Sequence, residues 1–346
     1  MIYEVNPVLD RRWENFVTRH PNSSIFHTPG WLLALEERTY GYEPVVYTTS
    51  PPQGELTNGL VFCRISSWIT GRRLVSLPFS DHCDPLTGDE NSDSIVLEEL
   101  RKEQRSQDWK YIEVRPRMDA LNQQSDMQSD NSYCFHTIDL TCDEQALFLK
   151  FHKNSIRKMI QRAERGKLQY VTGCSNDLLK AFYKLYVRNR RRKHIPPQPF
   201  RWFKNLSECL GPAMQVRVAF KGNRLAAGIV TFKFRKTLVY KYGSSDPPLN
   251  RLGGTPLLLW EAIREAKAMG LHEFDLGRSD WDNPGLIRFK DRLGGKQSVL
   301  SYWRYPNAAA QSGFLERLKR PAGWAMGHTP LPILIVAGSL LYRHIG

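Results

Sequence analysis

The chain has 346 residues, a length that predicts about two domains of ordinary size. Hydrophobic residues make up 41% and charged residues 24%, which is typical of a folded globular protein and excludes a mainly disordered chain. The formal net charge of +14 indicates a polyanionic partner, such as nucleic acid, a phosphorylated co-substrate or a membrane surface.

The first half of the chain reads as a helix, a run of strands, and then a second helix and strand. Apolar residues at three- and four-residue steps predict the helices, and runs of β-branched and aromatic residues predict the strands. In chain order the predicted elements are a helix at 29–41, strands within 43–65 and 72–86, a helix near 91–105 and a strand at 111–114. The polar stretch 119–132 has no apolar period and is predicted to form a loop.

The second half repeats this order after a basic helix. Its predicted elements are helices at 151–166 and 177–193, strands at 216–220, 225–234 and 238–242, a helix at 256–269, a strand at 273–276 and a helix at 284–292.

An internal repeat underlies this order. The segments from Glu43 and from Met214 both read as strand, Gly-containing turn and strand, and the segments 72–86 and 236–249 then match with one residue of slack. A constant spacing of about 165 residues indicates a duplication. We therefore expect two copies of one α/β unit with a mixed sheet, at residues 1–140 and 141–305, followed by a basic and apolar tail at 306–346.

The tail contains an apolar run, LPILIVAGSLLY at 331–342, which is shorter than the about twenty residues that a membrane span needs. A docked helix or strand is predicted, and the alternative is a peripheral contact with the inner membrane face, helped by the bases at 316–320. The first sixteen residues lack the pattern of a signal peptide, and the six cysteines show no metal-ligand spacing. We expect a cytoplasmic protein with reduced thiols and no bound metal.

Positive charge is concentrated at residues 150–204, which hold sixteen Lys and Arg against two acids. In this segment Lys153, Arg157 and the bases at 190–192 are candidates to clamp a diphosphate or a tRNA backbone. The nearby aromatics Trp202 and Phe203 would suit base stacking, with core packing as the alternative. The alternative for the bases is a solvated helical face.

Several segments carry a family resemblance. The second copy contains KYGSSD at 241–246, RLGGTP at 251–256 and EFDLGRSDWDNPGLIRFKDRLGG at 273–295, and the first copy contains FHTPGW at 26–31. As an ordered set they resemble FemAB-type enzymes and their relatives described as GNAT-like N-acyltransferases, over about residues 1–305. The resemblance implies two tandem GCN5-related acetyltransferase-like domains. The chain resembles the compact members without a coiled-coil arm, including those that act on nucleotide-linked precursors, and it equally resembles relatives that occur with exopolysaccharide loci.

The resemblance implies a catalytic role for Lys290, which matches the lysine of the family's FK motif near the transferred acyl group. A surface lysine on its helix is the alternative. Arg278 and Arg288 are predicted to bind phosphate or carboxylate because a guanidinium is a fixed fork of donors. Asp275 is expected either to orient a substrate amine or to hold Arg278. Tyr242 matches a family tyrosine and is placed with the residues that bind substrate or carrier.

The segment RLGGTP reads as a Gly-rich turn that opens a helix, with Thr255 as N-cap and Pro256 as the first helical residue. Backbone N–H groups and the helix dipole favour a phosphate at such a place, and the resemblance puts the pyrophosphate of coenzyme A there. We expect Arg251, Gly253 and Gly254 to bind the carrier. A tight strand-to-helix turn is the alternative.

In the first copy, SDHCDP follows the matching strand. Asp81 and Asp84 are expected to bind substrate and His82 to act as a base, with a structural histidine as the alternative. The resemblance implies that this copy shapes an acceptor groove. Because the phosphate turn, Lys290 and the basic helices all belong to the second copy, one working site is predicted.

The leading hypothesis is an N-acyltransferase. It would move an acyl or aminoacyl group from a phosphate-bearing carrier to an amine of a cell-envelope or polysaccharide precursor. Aminoacyl-tRNA would use the basic segment, whereas acyl-CoA would use mainly the turn at Gly253 and Gly254. The alternative function is a noncatalytic module, derived from such an enzyme, that binds RNA or a membrane surface.

Overall fold

The computed structural model describes residues 1–88, 90–117, 127–306 and 329–345. The chain forms two compact units. Unit 1 comprises Met1–Tyr133, Leu300–Pro321 and Ser339–Gly346, and unit 2 comprises Cys134–Val299 and Ala322–Gly338.

Unit 1 contains a mixed sheet and three helices among its described residues. In chain order its elements are β1 Tyr3–Val5, α1 Arg11–Arg19, α2 Pro29–Leu35, β2 Glu43–Thr48, β3 Leu60–Ser67, β4 Gly71–Val75, α3 Glu90–Ser106 and β5 Ile112–Val114. Each of the strands β1 to β4 pairs antiparallel with the next one along the chain. Strand β5 lies parallel to β4, and β12 (Lys296–Tyr305) pairs antiparallel with β5. The unit is thus completed by chain from far downstream.

Unit 2 begins with β6 (Gln128–Asp139), which pairs antiparallel with β11 from Cys134 onward. The other elements are α4 Glu144–Lys150, α5 Lys158–Arg165, β7 Gln169–Gly173, α6 Asn176–Arg192, α7 Phe200–Leu210, β8 Met214–Lys221, β9 Arg224–Phe234, β10 Thr237–Ser245, α8 Gly254–Ala268, β11 Glu273–Ser279, α9 Pro284–Arg292 and α10 Leu331–Tyr342.

The two units repeat one topology, which confirms the predicted duplication. In unit 2, β7 to β10 are antiparallel and β11 lies parallel to β10 after the crossover helix α8. In unit 1, β1 to β4 are antiparallel and β5 lies parallel to β4 after α3. The α/β fold with a mixed sheet in each unit is therefore as expected.

Helices cover both faces of the unit 2 sheet. Ala227 faces α8, because a side chain added at Gly254 would meet it at 3.0 Å. The next residue, Gly228, faces α6, where Phe182 and Leu185 pack against it. Successive residues of β9 thus point to opposite faces of the sheet. Helices α4, α5 and α8 cover one face, and helices α6 and α7 cover the other.

A buried ion pair ties α8 to the sheet. The guanidinium of Arg217 on β8 is 1% exposed, donates to the Oγ1 of Thr231 at 2.6 Å and donates to the Oε2 of Glu265 at 2.5 Å. Removing one partner of such a pair leaves an uncompensated buried charge, so the pair helps to fix how α8 lies on the sheet.

The apolar tail is a helix, α10, which confirms the docked-helix prediction. Leu334, Gly338 and Tyr342 form its buried face, and Gly338 lies so close to Pro197 that a β-carbon there would be 2.0 Å from the Pro197 carbonyl oxygen. No helix in the described ranges has the length and apolarity required to cross a bilayer. The bases at 316–320 lie outside the described residues.

Two local predictions were wrong. The stretch 119–132 was expected to be a loop, but β6 already begins at Gln128, and residues 119–126 lie outside the described residues. The helix of the Gly-rich turn begins at Gly254 with Gly253 as its N-cap, rather than at Pro256 with Thr255 as its N-cap. Gly253 adopts φ +82°, a left-handed conformation that glycine tolerates, and the helix begins directly after it.

Candidate active site

The two parallel strands of unit 2 separate partway along their length. Backbone pairing of β10 with β11 ends at Val239 and Asp275, although β10 continues to Ser245 and β11 to Ser279. Each strand also has an irregularity at this point, between Tyr240 and Tyr242 in β10 and after Asp275 in β11. An opening therefore forms between them, lined by backbone groups that the other strand does not pair.

Asp275 shapes the β11 side of the opening. Its side chain is fully buried, and its Oδ1 accepts the N–H of Gly277 at 2.6 Å. Gly277 has φ +70°, so the chain turns there as a residue with a β-carbon could not easily do. The bond explains why an acid stands at this position: it stabilises the bulge from which Arg278 projects.

Lys290 is a buried residue, not the surface lysine that was its alternative. It lies on α9 with 2% exposure, and its Nζ donates to the carbonyl oxygens of Gly277 at 2.8 Å and Arg278 at 3.0 Å. These carbonyls belong to the part of β11 that β10 leaves. The ammonium thus places a positive charge in a desolvated position beside the opening, where it acts more strongly than it would in water.

On the opposite strand, Tyr240 directly follows Val239, the last residue of β10 that pairs with β11. Its hydroxyl lies so close to Gly243 that a β-carbon at position 243 would be 1.9 Å away. Burial raises the pKa of Tyr240 to about 12, so the phenol stays a proton donor at neutral pH. Tyr242, the predicted tyrosine, is half-buried and accepts a hydrogen bond from the Nε1 of Trp202 at 2.9 Å.

A polar cluster on β6 and α9 borders Lys290. The Nε2 of His136 lies 2.9 Å from the Oδ1 of Asp291, and the Sγ of Cys134 lies 3.6 Å from the Nδ1 of His136. Burial lowers the pKa of His136 in spite of the neighbouring Asp291, and burial raises the pKa of Cys134. A neutral imidazole and a thiol are therefore the ground state.

Ser279 adds a donor at the end of β11. It is 2% exposed, and its Oγ has no hydrogen-bond partner among the described residues. A buried hydroxyl in that state costs free energy unless a ligand or water bonds to it. The position is consistent with a substrate contact beside Arg278.

The sequence did not indicate Cys134, His136, Tyr240, Ser279 or Asp291. Cys134 and His136 alternate along a strand, a pattern that any core strand shows, and Ser279 is one serine among many. Asp291 follows Lys290 directly, and that adjacency was the available signal.

The Gly-rich turn lies at the end of β10. Gly254 packs over Ala227, and Ala227 pairs with Ser245, the last residue of β10. Gly253 lies directly under the α5 backbone, because a β-carbon there would be 2.2 Å from the carbonyl oxygen of Met159. The backbone N–H groups of Gly254 and Thr255 have no acceptor among the described residues, since the cap contributes no side-chain bond.

Two arginines lie near this helix start. Arg251 is exposed in the preceding turn, and its carbonyl oxygen accepts a hydrogen bond from the Nη1 of Arg162 on α5 at 3.1 Å. Two unbonded N–H groups beside two guanidinium groups form a donor set that suits a phosphate.

Three other residues predicted from the sequence lie elsewhere in unit 2. Lys153 is exposed and Arg157 half-buried on the turn before α5, and the Nε of Arg157 has no hydrogen-bond partner among the described residues. Arg288 is exposed on α9. The structure thus brings Asp275, Arg278 and Lys290 together, whereas Arg288 lies on the solvent side of the same helix.

The predicted residues of the first copy form a separate group within unit 1. Asp81 and His82 are 7% and 3% exposed, and the Nδ1 of His82 lies 3.8 Å from the Oδ2 of Asp84. The Asp81 carbonyl accepts from the Tyr302 hydroxyl at 2.7 Å, and Asp84 accepts from the backbone N–H of Arg117 at 2.6 Å.

In unit 1, the loop that carries these residues occupies the position that corresponds to the opening between β10 and β11 in unit 2. The N–H of Cys83 donates to the carbonyl oxygen of Arg115 at 2.6 Å, so the loop pairs with the residue that follows β5. Positive φ angles at Leu77 and Phe79 turn the chain back to make this possible. Unit 1 therefore lacks the opening between parallel strands that unit 2 has, within the described residues.

Trp202 and Phe203 are fully buried, so the base-stacking interpretation of these two aromatics was wrong. They belong to an aromatic layer between α6, α7 and β10, with the Phe203 ring 5.0 Å from that of Tyr242. No set of three or more His, Cys, Asp or Glu side chains in the described part of the chain is arranged to hold a metal ion.

Comparison with known proteins agrees with this architecture. Residues 150–291, which lie within unit 2, match the acetyltransferase (GNAT) domain family. The crystal structure of FemX superposes with a TM-score of 0.68 at 11% identity, covering 88% of this chain and 97% of that one. The resemblance to the FemAB-type, GNAT-like proteins is thereby confirmed at the level of the fold.

Two further solved structures share the fold. A tandem GNAT protein from the clavulanic acid biosynthesis pathway gives a TM-score of 0.54 at 10% identity, covering 88% of this chain and 97% of that one. The C-terminal domain of a protein described as a lysylphosphatidylglycerol synthetase, from Agrobacterium fabrum, gives 0.52 at 13% identity, covering 72% and 81%. Among curated proteins none matches this chain.

Proposed function

We propose that this protein transfers an acyl or aminoacyl group from a phosphate-bearing carrier to an amine of a cell-envelope or polysaccharide precursor, with its site in unit 2. The observation that carries the proposal is the opening between β10 and β11, with the buried Lys290 ammonium at its β11 side. The GNAT domain at residues 150–291 supports the acyl-transfer class.

The carrier phosphate would bind at the start of α8. The N–H groups of Gly254 and Thr255 and the side chains of Arg251 and Arg162 supply donors and positive charge there. The start of α8 lies over the end of β10, because Gly254 covers the residue that pairs with Ser245. A carrier anchored at this point can extend its acyl group into the opening between the strands.

The acyl carbonyl would be polarised inside the opening. Attack by an amine on a carbonyl carbon puts negative charge on the oxygen, and fixed donors or cations stabilise that charge. Lys290 supplies a buried cation, and Tyr240 a phenol that stays protonated. Asp275 and the His136–Asp291 pair act indirectly: Asp275 holds the bulge, and the pair ties α9, which carries Lys290, to β6.

The acceptor class rests on the neighbours rather than on this site. FemX and the lysylphosphatidylglycerol synthetase share the fold, and the second of these names a phospholipid product. Both donor alternatives are kept: acyl-CoA would use mainly the phosphate site at α8, and aminoacyl-tRNA would use the basic segment at 150–204 in addition to that site. A peripheral association with the inner membrane face is part of the proposal.

Replacing Lys290 tests the catalytic proposal. In Lys290→Met we expect transfer to fall by about 100- to 1,000-fold, because the buried cation beside the acyl oxygen is lost. The assay follows radiolabelled acetyl from acetyl-CoA, and labelled amino acid from charged tRNA, into small molecules of a cell extract. The matched control is Arg288→Met on the exposed side of the same helix, which should retain transfer within about threefold.

Thermal unfolding of both variants shows whether the fold is intact. A folded Lys290→Met protein with full transfer contradicts the role given to Lys290. The noncatalytic alternative, a module that binds RNA or a membrane surface, predicts no transfer by the unaltered protein and unchanged binding in Lys290→Met.

A further inference from the structure

A second site lies on the other face of the unit 2 sheet, away from α8. It is a cleft of about 430 Å³ between the last turns of α6, the end of β10 and the first residue of α10. Its α6 wall includes Leu185, Arg188, Arg191 and Arg192, and the prolines at 247–248 and Leu331 of α10 complete the lining. Because Gly228 and Ala227 point to opposite faces of the sheet, the α6 side is distinct from the carrier site at Gly254.

The charged wall of the cleft is strongly positive. Arg188, Arg191 and Arg192 lie three and four residues apart and so share one side of α6. The Nη2 of Arg192 is held by the carbonyl oxygen of Ser245 at 3.1 Å, which fixes this guanidinium at the cleft. Arg188 is exposed and makes no hydrogen bond or ion pair with the described residues.

Neutralising charge is scarce at this place. Among the described residues that line the cleft, Asp246 is the one carboxylate, and the Nη2 of Arg224 lies 3.7 Å from its Oδ2. Burial and the guanidinium groups of Arg190 and Arg192 lower the pKa of Lys193 at the end of α6. An excess of positive charge therefore faces the cleft, which suits an anion.

The opposite wall is apolar and continues onto the surface. Leu331 opens α10, and the next residues of its outer face, Ile333 and Val336, are 59% and 57% exposed. From Leu331 to Gly338 the helix contains no charged side chain. An outer helix face is normally polar, and exposed apolar side chains in a row mark an interaction site.

We propose that this cleft binds the phosphate head group of an anionic membrane lipid, with the hydrocarbon chains directed along the Ile333–Val336 face of α10. A guanidinium cluster recognises the phosphate, and the adjoining apolar face accounts for the chains, which a free phosphate or a nucleic acid does not have. The arrangement rests on the peripheral membrane association proposed above and attaches unit 2 to a membrane surface at the end of the sheet at which β10 ends. It does not depend on the transfer chemistry at Lys290.

Vesicle flotation tests this assignment. The full chain is mixed with vesicles of phosphatidylcholine alone, or of phosphatidylcholine with phosphatidylglycerol, at physiological ionic strength. We expect binding to the anionic vesicles only. Arg188→Glu should weaken that binding by at least about tenfold, since each basic residue near an anionic surface contributes roughly a fivefold change in affinity. The matched control is Arg201→Glu, the same charge reversal at an exposed arginine of α7 outside the cleft.

The apolar half is tested separately. Ile333→Asn with Val336→Asn should also reduce vesicle binding by about tenfold, whereas Val171→Asn, at an exposed valine on β7, should not. Soluble glycerol phosphate and labelled tRNA are measured in parallel. Equal loss with Arg201→Glu, binding of glycerol phosphate as strong as that of vesicles, or Arg188-dependent binding of tRNA alone would each overturn the assignment. Lys290→Met should bind vesicles normally, which separates this outcome from the transfer proposal.

Discussion

His27 shows how a single residue sets the pH response of unit 1. It is fully buried; its Nδ1 accepts the N–H of Ser24 at 3.0 Å, and its Nε2 lies 2.9 Å from the carbonyl oxygen of Asp84. These two bonds require the neutral imidazole with its proton on Nε2. Burial lowers the pKa of His27 to about 4. The ring therefore anchors the 80–86 loop in its uncharged form.

Acid should destabilise unit 1 through this residue. The unfolded histidine has a pKa of about 6.5. The stabilisation is complete above that pH and is lost as pH falls from about 6.5 through about 4, because only the unfolded state then binds the proton. A shift of this size corresponds to on the order of 3 kcal/mol. Urea unfolding at pH 7 and pH 5 should show the loss, and His27→Gln should flatten it, whereas the exposed His272→Gln should not.

A second buried group in unit 1 responds at lower pH. Burial opposes ionisation of Glu113, but Arg115 and Arg304 outweigh it and hold its pKa at about 2. Its contribution is present above about pH 4.3 and is lost as pH falls towards 2. If the stability of unit 1 were independent of pH between 6.5 and 4, the role given to His27 would be wrong, even if Glu113 caused a loss of stability at lower pH.

At the scale of elements, the start of α8 depends on one glycine. Gly253 combines φ +82° with a backbone contact to Met159 that leaves no room for a β-carbon. Gly253→Ala should destabilise the protein by about 2–4 kcal/mol, because either α5 or α8 must move. Gly222→Ala is the control: it also has a positive φ, but nothing lies within 4 Å of the added atom, so about 1 kcal/mol is expected.

Chemical denaturation measures the free energy of unfolding of both variants. The thermal shift produced by acetyl-CoA tests donor binding at the start of α8. We expect Gly222→Ala to keep any stabilisation by the donor and Gly253→Ala to lose it. Equal destabilisation by the two substitutions would contradict the close approach of α5 to this turn.

The elements also show what the sequence could predict. The helix at 284–292 and the strand that begins at Glu273 were predicted because their periodicity is local. The burial of Lys290 was not predicted, because it depends on where β10 separates from β11. That separation arises from bulges in two strands that lie more than thirty residues apart in the sequence. His136 and Asp291 are 155 positions apart, a contact that no local pattern can indicate.

At the scale of the whole molecule, the duplication was visible in sequence, whereas its asymmetry came mostly from the structure. Both units run four antiparallel strands, a helix and a parallel strand. In unit 1 the 76–86 loop fills the space after β4 and β5, whereas in unit 2 the corresponding segment turns into α8 and leaves the strands apart. The Gly-rich turn present in one copy alone was the sequence signal of this difference.

We propose that unit 2 binds a phosphate-bearing acyl donor at α8 and presents its acyl group to Lys290. The most direct test is the shift in thermal unfolding produced by acetyl-CoA and, separately, by aminoacylated tRNA, each compared with the deacylated carrier. A donor at 100 times its dissociation constant should stabilise the protein by about 2.7 kcal/mol. We predict stabilisation by one of the two donors, which is retained in Lys290→Met and abolished by Gly253→Ala. Stabilisation by neither donor, or by a donor whose effect survives Gly253→Ala unchanged, would contradict the account.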